Sequence, residues 1–159
     1  VQARLPAPRF DPADVPLRAS ARAERYRLDH QGGTAEGGAV NVGNPHFVIS
    51  VAEVDQAPVA EWGAALSRHP DFPEGANIGF AQRLDRGHLR LRVFERGVGE
   101  TPACGSGACA AAAVLQSWHE IDSRVIIDLP GGRLRIDRDG EAILMEGPAN
   151  WVFDGEMEL

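Results

Sequence analysis

RVFERGVGETPACGSGACAAAA, residues 92–113, joins three kinds of local pattern in one uninterrupted stretch. It begins with a strand-like run, passes through a turn marked by Gly97 and Gly99, and continues into an alanine-rich segment that favours helix. Cys104 stands where this helix should begin. The stretch therefore predicts a strand, a turn and a helix that carries a cysteine at its first turn.

Cys104 has the local setting of a reactive thiol. The free N–H groups of a helix's first turn and the positive end of its dipole stabilise a nearby thiolate, which lowers the thiol pKa from about 8.5. The same N–H groups can hold a ligand carboxylate, and Gly105 and Gly107 leave room for one while Ser106 adds a donor. We expect Cys104 to be functional, the alternative being a buried structural cysteine, and Cys109 to serve packing.

Two charged residues end the preceding strand. The Glu95 carboxylate could tune a nearby thiol, and the Arg96 guanidinium could bind a substrate carboxylate through two parallel hydrogen bonds. A solvated ion pair is the alternative, but their position beside the cysteine turn favours function. Glu100 is expected to face solvent or to cap the helix.

Two further turns contain polar residues that could face a ligand. In GNPH, residues 43–46, the proline biases Asn44 toward an extended backbone and leaves its side-chain amide free, and His46 could influence a nearby proton. Asn77 follows the FPEG turn and opens an apolar strand, although ordinary turn chemistry would also explain it. A lone histidine is a weak signal, and the remaining histidines lack the spacing of metal ligands.

Composition limits the class of protein. The chain has 159 residues, of which 43% are hydrophobic, enough for one domain with a real core. A net charge of -7 argues against a nucleic-acid-binding surface, and no apolar run reaches membrane-spanning length. Because the chain starts at Val1 and no charged leader follows, we expect a trimmed or processed chain without a secretory signal.

Lysine and cysteine usage limits the chemistry. All sixteen basic residues are arginine, so the chain cannot form a lysine Schiff base with pyridoxal phosphate or supply a P-loop lysine. Cys104 and Cys109 are five residues apart on a predicted helix, about 140° from each other, so they should not form a disulfide. We expect no metal site and a reducing, cytoplasmic setting.

The hydrophobic pattern predicts an α+β domain of mostly antiparallel strands around a central buried helix, plus one amphipathic helix. The helices are expected at 58–68 and 103–118, the second apolar on nearly every side. The expected strands lie at 1–5, 26–29, 39–42, 47–54, 77–82 and 88–94, then in short segments from residue 124 to Trp151-Val-Phe. HQGGTAEGG, residues 30–38, is predicted to be a loop, and residues 1–20 an entrance segment.

Four motifs in the same order resemble the diaminopimelate epimerase family across essentially the whole chain: GNPHFV, FPEGANIGF, RVFERGVGETPACGSGACAAA and LPGG…GPANWVFDGE. The resemblance implies a diaminopimelate epimerase-like fold and a cofactor-independent isomerase of lysine and peptidoglycan biosynthesis. Such enzymes interconvert LL- and meso-diaminopimelate with two cysteines on opposite faces of the α-carbon. One removes the proton as a thiolate, and the other delivers a proton as a thiol.

The resemblance also implies roles for individual residues. Cys104 matches the second catalytic cysteine, and Glu95 and His46 match residues that tune or pair with the two thiols. The substrate contacts implied by the matching positions are Asn44, Asn77, Glu95, Arg96, Gly105 and Ser106. A helix N-terminus aimed at the carboxylate would supply the preorganised donors that a poorly acidic α-proton requires.

One feature of the family has no match in the sequence. The family has a preceding N-terminal domain of related fold, which carries the first cysteine in a second glycine-flanked turn. We therefore predict that this chain is the C-terminal domain, 1–159, and does not epimerise alone. A tail strand at 150–159 should be displaced without the partner domain. The resemblance leaves undecided whether the intact protein is a homodimer, because Phe153 occupies a position where the family often has a dimer-contact tyrosine.

Three alternatives remain at the level of sequence. A proline racemase-like isomerase would share the superfamily but have different residues around its cysteines. A cysteine hydrolase would pair Cys104 with His46. A non-catalytic half-domain would bind diaminopimelate or another ligand without turning it over.

Overall fold

The computed structural model describes residues 1–149, 152 and 154–157. In this part of the chain ten strands form one sheet that wraps around a long helix, and a shorter helix covers part of the sheet's other face. The elements are β1 Gln2–Leu5, β2 Tyr26–His30, β3 Gly33–Asn41, β4 Pro45–Ser50, α1 Val59–Leu66, β5 Asn77–Asp85, β6 His88–Glu95, β7 Gly99–Thr101, α2 Gly105–Ser117, β8 Arg124–Leu129, β9 Gly132–Asp139 and β10 Ala142–Glu146. This is the α+β architecture that the sequence predicts.

The sheet is mixed but mostly antiparallel. Its order is β1-β10-β9-β8-β6-β5-β4-β3-β2, with β7 paired to β6. Among the described strands, β4 with β5 and β6 with β8 are the parallel pairs. Because α1 lies between β4 and β5 in the chain, and β6 runs antiparallel to β5, the starts of β4 and β5 and the end of β6 meet at one edge.

The helix α2 is the centre of the fold. Its residues from Gly107 to Leu115 are all buried, and it packs on β3, β4, β5, β6, β9 and β10. Alanine has the highest helix propensity and a small side chain, which suits a helix enclosed by a sheet on most sides. His119, at φ 58°, ends the helix, and the N–H groups of His119 and Glu120 bond back to Gln116 and Leu115. This is a Schellman end in which histidine takes the usual glycine position.

A second core lies on the opposite face of the sheet. Along β4, Phe47 and Ile49 face this second core while Val48 faces α2, as the two-residue period of a strand requires. Helix α1 covers it with Val59 and Leu66. The middle of the sheet is therefore buried on both faces, which explains its apolar strands and fixes the positions of their ends.

Two predicted boundaries were wrong. Residues 30–38 do not form a loop, because a tight turn follows β2 and β3 starts at Gly33. Glycines hid the first part of this strand, whose last residues fall in the strand predicted at 39–42. Gly38 is needed there because a Cβ atom would lie 2.5 Å from the Val114 Cγ1 atom of α2. The strand predicted to reach Val54 ends at Ser50, and a 3-10 turn follows.

The predicted tail strand lies partly outside the described residues. Val152 and residues 154–157 are not in a strand, whereas Trp151 and Phe153 are not described. Among the helices of the described residues, none combines the length and apolar character needed to cross a membrane.

Candidate active site

The predicted site residues meet at one edge of the sheet, beside the start of α2. His46 on β4 and Asn77 on β5 are register partners, and Glu95 ends β6. Strand β7 then returns the chain to Cys104, which caps α2. Segments far apart in the chain thus place a thiol, a carboxylate, a guanidinium and two amides at the same end of the molecule.

Cys104 is the N-cap residue of α2. Its backbone is extended at φ -141°, and its Sγ atom accepts a hydrogen bond from the Gly107 N–H at 3.4 Å. The Ser106 hydroxyl lies 3.6 Å from the same sulfur. The Cys104 side chain thus takes a position usually held by serine, threonine, aspartate or asparagine.

Burial reverses the expected direction of the Cys104 pKa. Desolvation raises the pKa of the thiol, and the neighbouring Glu95 carboxylate raises it further, against the lowering effect of Ser106 and the Gly107 N–H. Cys104 is only 6% exposed, so the charged form loses more hydration than the helix start returns. The predicted lowering was therefore wrong, and at neutral pH the resting group is a thiol that can donate a proton.

The glycines of the cysteine turn serve packing. A Cβ atom at Gly107 would lie 2.8 Å from Val93 Cγ2, and one at Gly105 would lie 2.9 Å from Met145 Sδ. A side chain at either position would therefore collide with β6 or β10, and the predicted approach of a ligand to the backbone of this turn stays a prediction.

Arg96 is held at both its backbone and its guanidinium. The Arg96 backbone N–H donates to the Asn77 side-chain Oδ1 atom at 2.8 Å. The guanidinium Nη1 atom donates to the Glu74 backbone carbonyl and lies 3.4 Å from the Gly75 carbonyl. Gly75 has φ +70°, and a Cβ there would lie 2.8 Å from Arg96 Cδ. Arg96 is exposed and takes part in none of the salt bridges among the described residues, so its charge is available to a ligand.

His46 is buried and uncharged. Burial first, and then the charge of Arg96, lower its pKa to about 3. Its Nε2 atom lies 2.9 Å from Asn44 Oδ1 and 3.4 Å from Asn77 Nδ2, while Nδ1 has no hydrogen-bond partner among the described residues. We assign the His46 proton to Nε2, which donates to Asn44 Oδ1. The other tautomer would place a buried N–H at Nδ1 with no acceptor, which is less stable than an unpaired ring nitrogen there.

Two contacts were missed from sequence. The Thr101 hydroxyl donates to Glu95 Oε1 at 2.5 Å, and the only sign of this contact in the sequence is a polar residue between the glycine turn and the helix. Glu100 is exposed, as the sequence predicted, and it also accepts two hydrogen bonds from Arg92, at 2.6 Å and 2.9 Å. Arg90, two residues earlier on β6, pairs with Asp55 in the 3-10 turn.

The arrangement suits proton transfer at an anionic substrate. The described hydrogen-bonding neighbours of the Cys104 thiol are Ser106 and Gly107, and Glu95 also acts on it. His46 bonds instead to Asn44, so the thiolate–imidazole pair of a cysteine hydrolase is not formed. The described residues contain no cluster of three or more His, Cys, Asp or Glu side chains suited to a metal ion.

Known proteins resemble this chain in both sequence and fold. The family model for diaminopimelate epimerase matches residues 38–152. A diaminopimelate epimerase of Pseudomonas fluorescens is 50% identical over 157 residues, which cover 96% of this chain and 56% of the relative. One of Xanthomonas axonopodis pv. citri (strain 306) is 53% identical over 152 residues, 94% of this chain and 54% of the relative.

Solved structures support the fold at lower identity. A probable proline racemase from Agrobacterium radiobacter K84 with bound carbonate has a TM-score of 0.56 and 17% identity, over 96% of this chain and 54% of its own. A hydroxyproline epimerase from Agrobacterium vitis with bound trans-4-hydroxy-L-proline has a TM-score of 0.54 and 17% identity, over 76% and 46%. The chain spans about half the length of the relatives it matches, and by its sequence it belongs to the diaminopimelate epimerase family.

Proposed function

We propose that this chain supplies one half of an active site that converts LL-diaminopimelate to meso-diaminopimelate without a cofactor. The observation that carries the proposal is the buried, protonated Cys104 thiol at the start of α2, at the same edge of the sheet as Glu95, Asn44, Asn77 and Arg96. The names of relatives that are about 50% identical support the substrate.

The reaction needs two groups of opposite protonation. A thiolate from a preceding domain, which this chain does not match, takes the α-proton from one face of the substrate. The electron pair stays on the α-carbon, with its charge spread onto the carboxylate, and the Cys104 thiol delivers its proton to the opposite face. The first group ends as a thiol and Cys104 as a thiolate, so atoms and charge balance and the reverse reaction exchanges the two roles.

The remaining site residues bind and orient the substrate in this proposal. The free N–H groups of Gly105 and Ser106 face the carboxylate of the reacting centre, where they stabilise the developing charge. Arg96, held by backbone carbonyls, binds the distal carboxylate, and Asn44 and Asn77 bind the distal polar groups. Neutral His46 orients Asn44 through its Nε2 proton, and it pairs with the thiol of the other domain.

A chimera tests the proposal with the whole chain. The segment of the Pseudomonas fluorescens relative that precedes the matched region is fused to residues 1–159 and incubated with LL-diaminopimelate in D2O without added cofactor. We expect meso-diaminopimelate with deuterium at the α-carbon, and none from the chimera that carries Cys104→Ala. The chain alone should give no exchange, and robust turnover by it would overturn the half-site proposal.

The same experiment separates the alternatives. Exchange at proline in place of diaminopimelate would support a proline racemase-like enzyme. A folded chimera inert toward both, with heat released on titrating diaminopimelate into the chain, would support a ligand-binding half-domain. We place the reaction in the cytoplasm, because both described cysteines are free thiols and a reducing compartment keeps them so. Its partners in this proposal are the substrate and the preceding domain, and a homodimer of the intact protein is left open.

A further inference from the structure

The Thr101 hydroxyl is committed to the Glu95 carboxylate. Its Oγ1 atom lies 2.5 Å from Glu95 Oε1 and 3.4 Å from the Ala103 carbonyl. A hydroxyl has one proton to donate, and a carboxylate is the stronger acceptor at the shorter distance. Thr101 therefore fixes the direction in which one Glu95 oxygen points.

The hairpin of β6 and β7 determines where this hydroxyl lies. Glu95 pairs with Gly99 and Val93 with Thr101, across a turn in which Gly97 and Gly99 have φ 79° and 108°. L side chains rarely adopt these values, so glycine is required at both positions. The two hydrogen bonds between Arg92 and Glu100 hold the strands of the hairpin together.

Glu95 acts in turn on Cys104. Its negative charge raises the pKa of the Cys104 thiol, after the larger effect of burial. The Thr101 hydroxyl that holds this carboxylate also lies 3.4 Å from the carbonyl of Ala103, the residue before Cys104, so the hydrogen bond holds Glu95 next to the cysteine turn.

We propose that Thr101 is a positioning residue that orients Glu95 against Cys104 and so keeps Cys104 in its proton-donating form. The proposal rests on the proposed function for its catalytic meaning, but the contacts stand without it. The alternative is that Thr101 only stabilises the hairpin, in which case the chemistry of the thiol would not depend on it.

Several charged or titratable groups surround these residues and must be held constant. They are Arg96 on the same turn, His46 on β4, Arg92 and Glu100 on the hairpin, and Cys109 inside α2. The test variants leave all of them unchanged except Cys109, which is replaced by alanine in every sample so that one thiol is followed.

The test is the pH profile of iodoacetamide alkylation of Cys104 in the 159-residue chain. Thiolate is the reacting form, so the midpoint of the profile reports the thiol pKa. Glu95→Gln should lower the midpoint, because a negative charge is lost. Thr101→Val should lower the midpoint as well, by about half of one pKa unit. At a pH below the midpoint, alkylation should then be about threefold faster than in the parent. Thr101→Ser retains the hydroxyl and should keep the parent profile.

The Glu95→Gln background supplies the deciding control. There Thr101→Val should leave the profile unchanged, because the carboxylate it positions is already gone. Three results would overturn the proposal: an unchanged alkylation midpoint in Thr101→Val, a raised midpoint in Thr101→Val, or an equal drop with and without Glu95→Gln. Thermal unfolding confirms that each variant is folded. The assay uses no substrate, so it tests this inference separately from the proposed function. If the effect of Thr101→Val depends on Glu95 but the chimera is inactive, only the proposed function is refuted. If the chimera is active but the effect of Thr101→Val does not depend on Glu95, only this inference is refuted.

Discussion

The Asn77 side chain holds the Arg96 backbone, through a hydrogen bond of 2.8 Å from the Arg96 N–H to Asn77 Oδ1. Asn77 is 5% exposed and opens β5, whereas Arg96 follows the end of β6. Because Oδ1 is occupied in this way, the Nδ2 group must face His46, 3.4 Å away. One amide therefore holds the charged turn in place beside the buried histidine.

Replacing Asn77 with alanine should destabilise the chain. The Arg96 N–H would lose its acceptor in a partly buried setting, which costs about 1–3 kcal/mol of unfolding free energy. Urea unfolding measures the loss. Gln31→Ala changes an exposed turn residue and should stay within about 0.5 kcal/mol of the parent. Equal stability of the Asn77→Ala chain and the parent would show that water or another group replaces the amide.

His46 should make the stability of the chain fall with acidity. Its pKa is about 3 in the folded chain against 6.5 as the ordinary value, so below pH 6.5 the unfolded chain binds the proton more readily. The contribution is fully present above pH 6.5 and is lost as the pH falls from 6.5 to 3, with a slope of at most about 1.4 kcal/mol per pH unit.

Two variants isolate this effect. His46→Phe removes the titrating ring, so the difference between its unfolding free energy and that of the parent should shrink as the pH falls from 7 to 4. Ile49→Val costs about 1 kcal/mol without changing a titratable group, and its difference from the parent should stay constant with pH. A constant difference for His46→Phe as well would mean that His46 is not held neutral.

The sequence predicted the architecture better than the electrostatics of the candidate site. Helix periodicity and alanine content located α2, and the motif resemblance named residues that the structure places at one edge of the sheet beside the start of α2: His46, Asn77, Glu95 and Arg96. The first part of β3 was missed because the glycines at 37 and 38, required by close packing, carry no strand signal. The Cys104 pKa was predicted in the wrong direction, because burial depends on three-dimensional neighbours such as Met145 and Val93 that spacing does not reveal.

The two cysteines should differ sharply in reactivity. Burial raises the pKa of Cys109 to about 12, and this residue is completely enclosed in the core, whereas Cys104 is 6% exposed. Under native conditions iodoacetamide should therefore label Cys104 alone, at a rate that still rises with pH near 9 because the Cys104 pKa is also raised. Peptide mass mapping identifies the labelled residue.

Cys104→Ala is the matched control for this labelling. It should take up no label when folded and one label, at Cys109, when unfolded in urea. Rapid native labelling of Cys109 would contradict a well-packed α2 core.

Two strand glycines that look alike in sequence should respond oppositely to a single methyl group. A Cβ at Gly38 on β3 would lie 2.5 Å from Val114 Cγ1 and 3.0 Å from Trp118 Cζ2, on the C-terminal half of α2. At Gly79 on β5, the nearest atoms would be 3.6 Å away, an ordinary contact with Val48 and Leu91. Gly38→Ala should lower the unfolding free energy by about 1–3 kcal/mol, because the sheet must move away from the helix. Gly79→Ala should leave it unchanged or raise it by less than about 1 kcal/mol, because alanine restricts the unfolded chain. Thermal and urea unfolding of both variants decide the matter, and similar losses would show that β3 does not approach α2 more closely than β5 does.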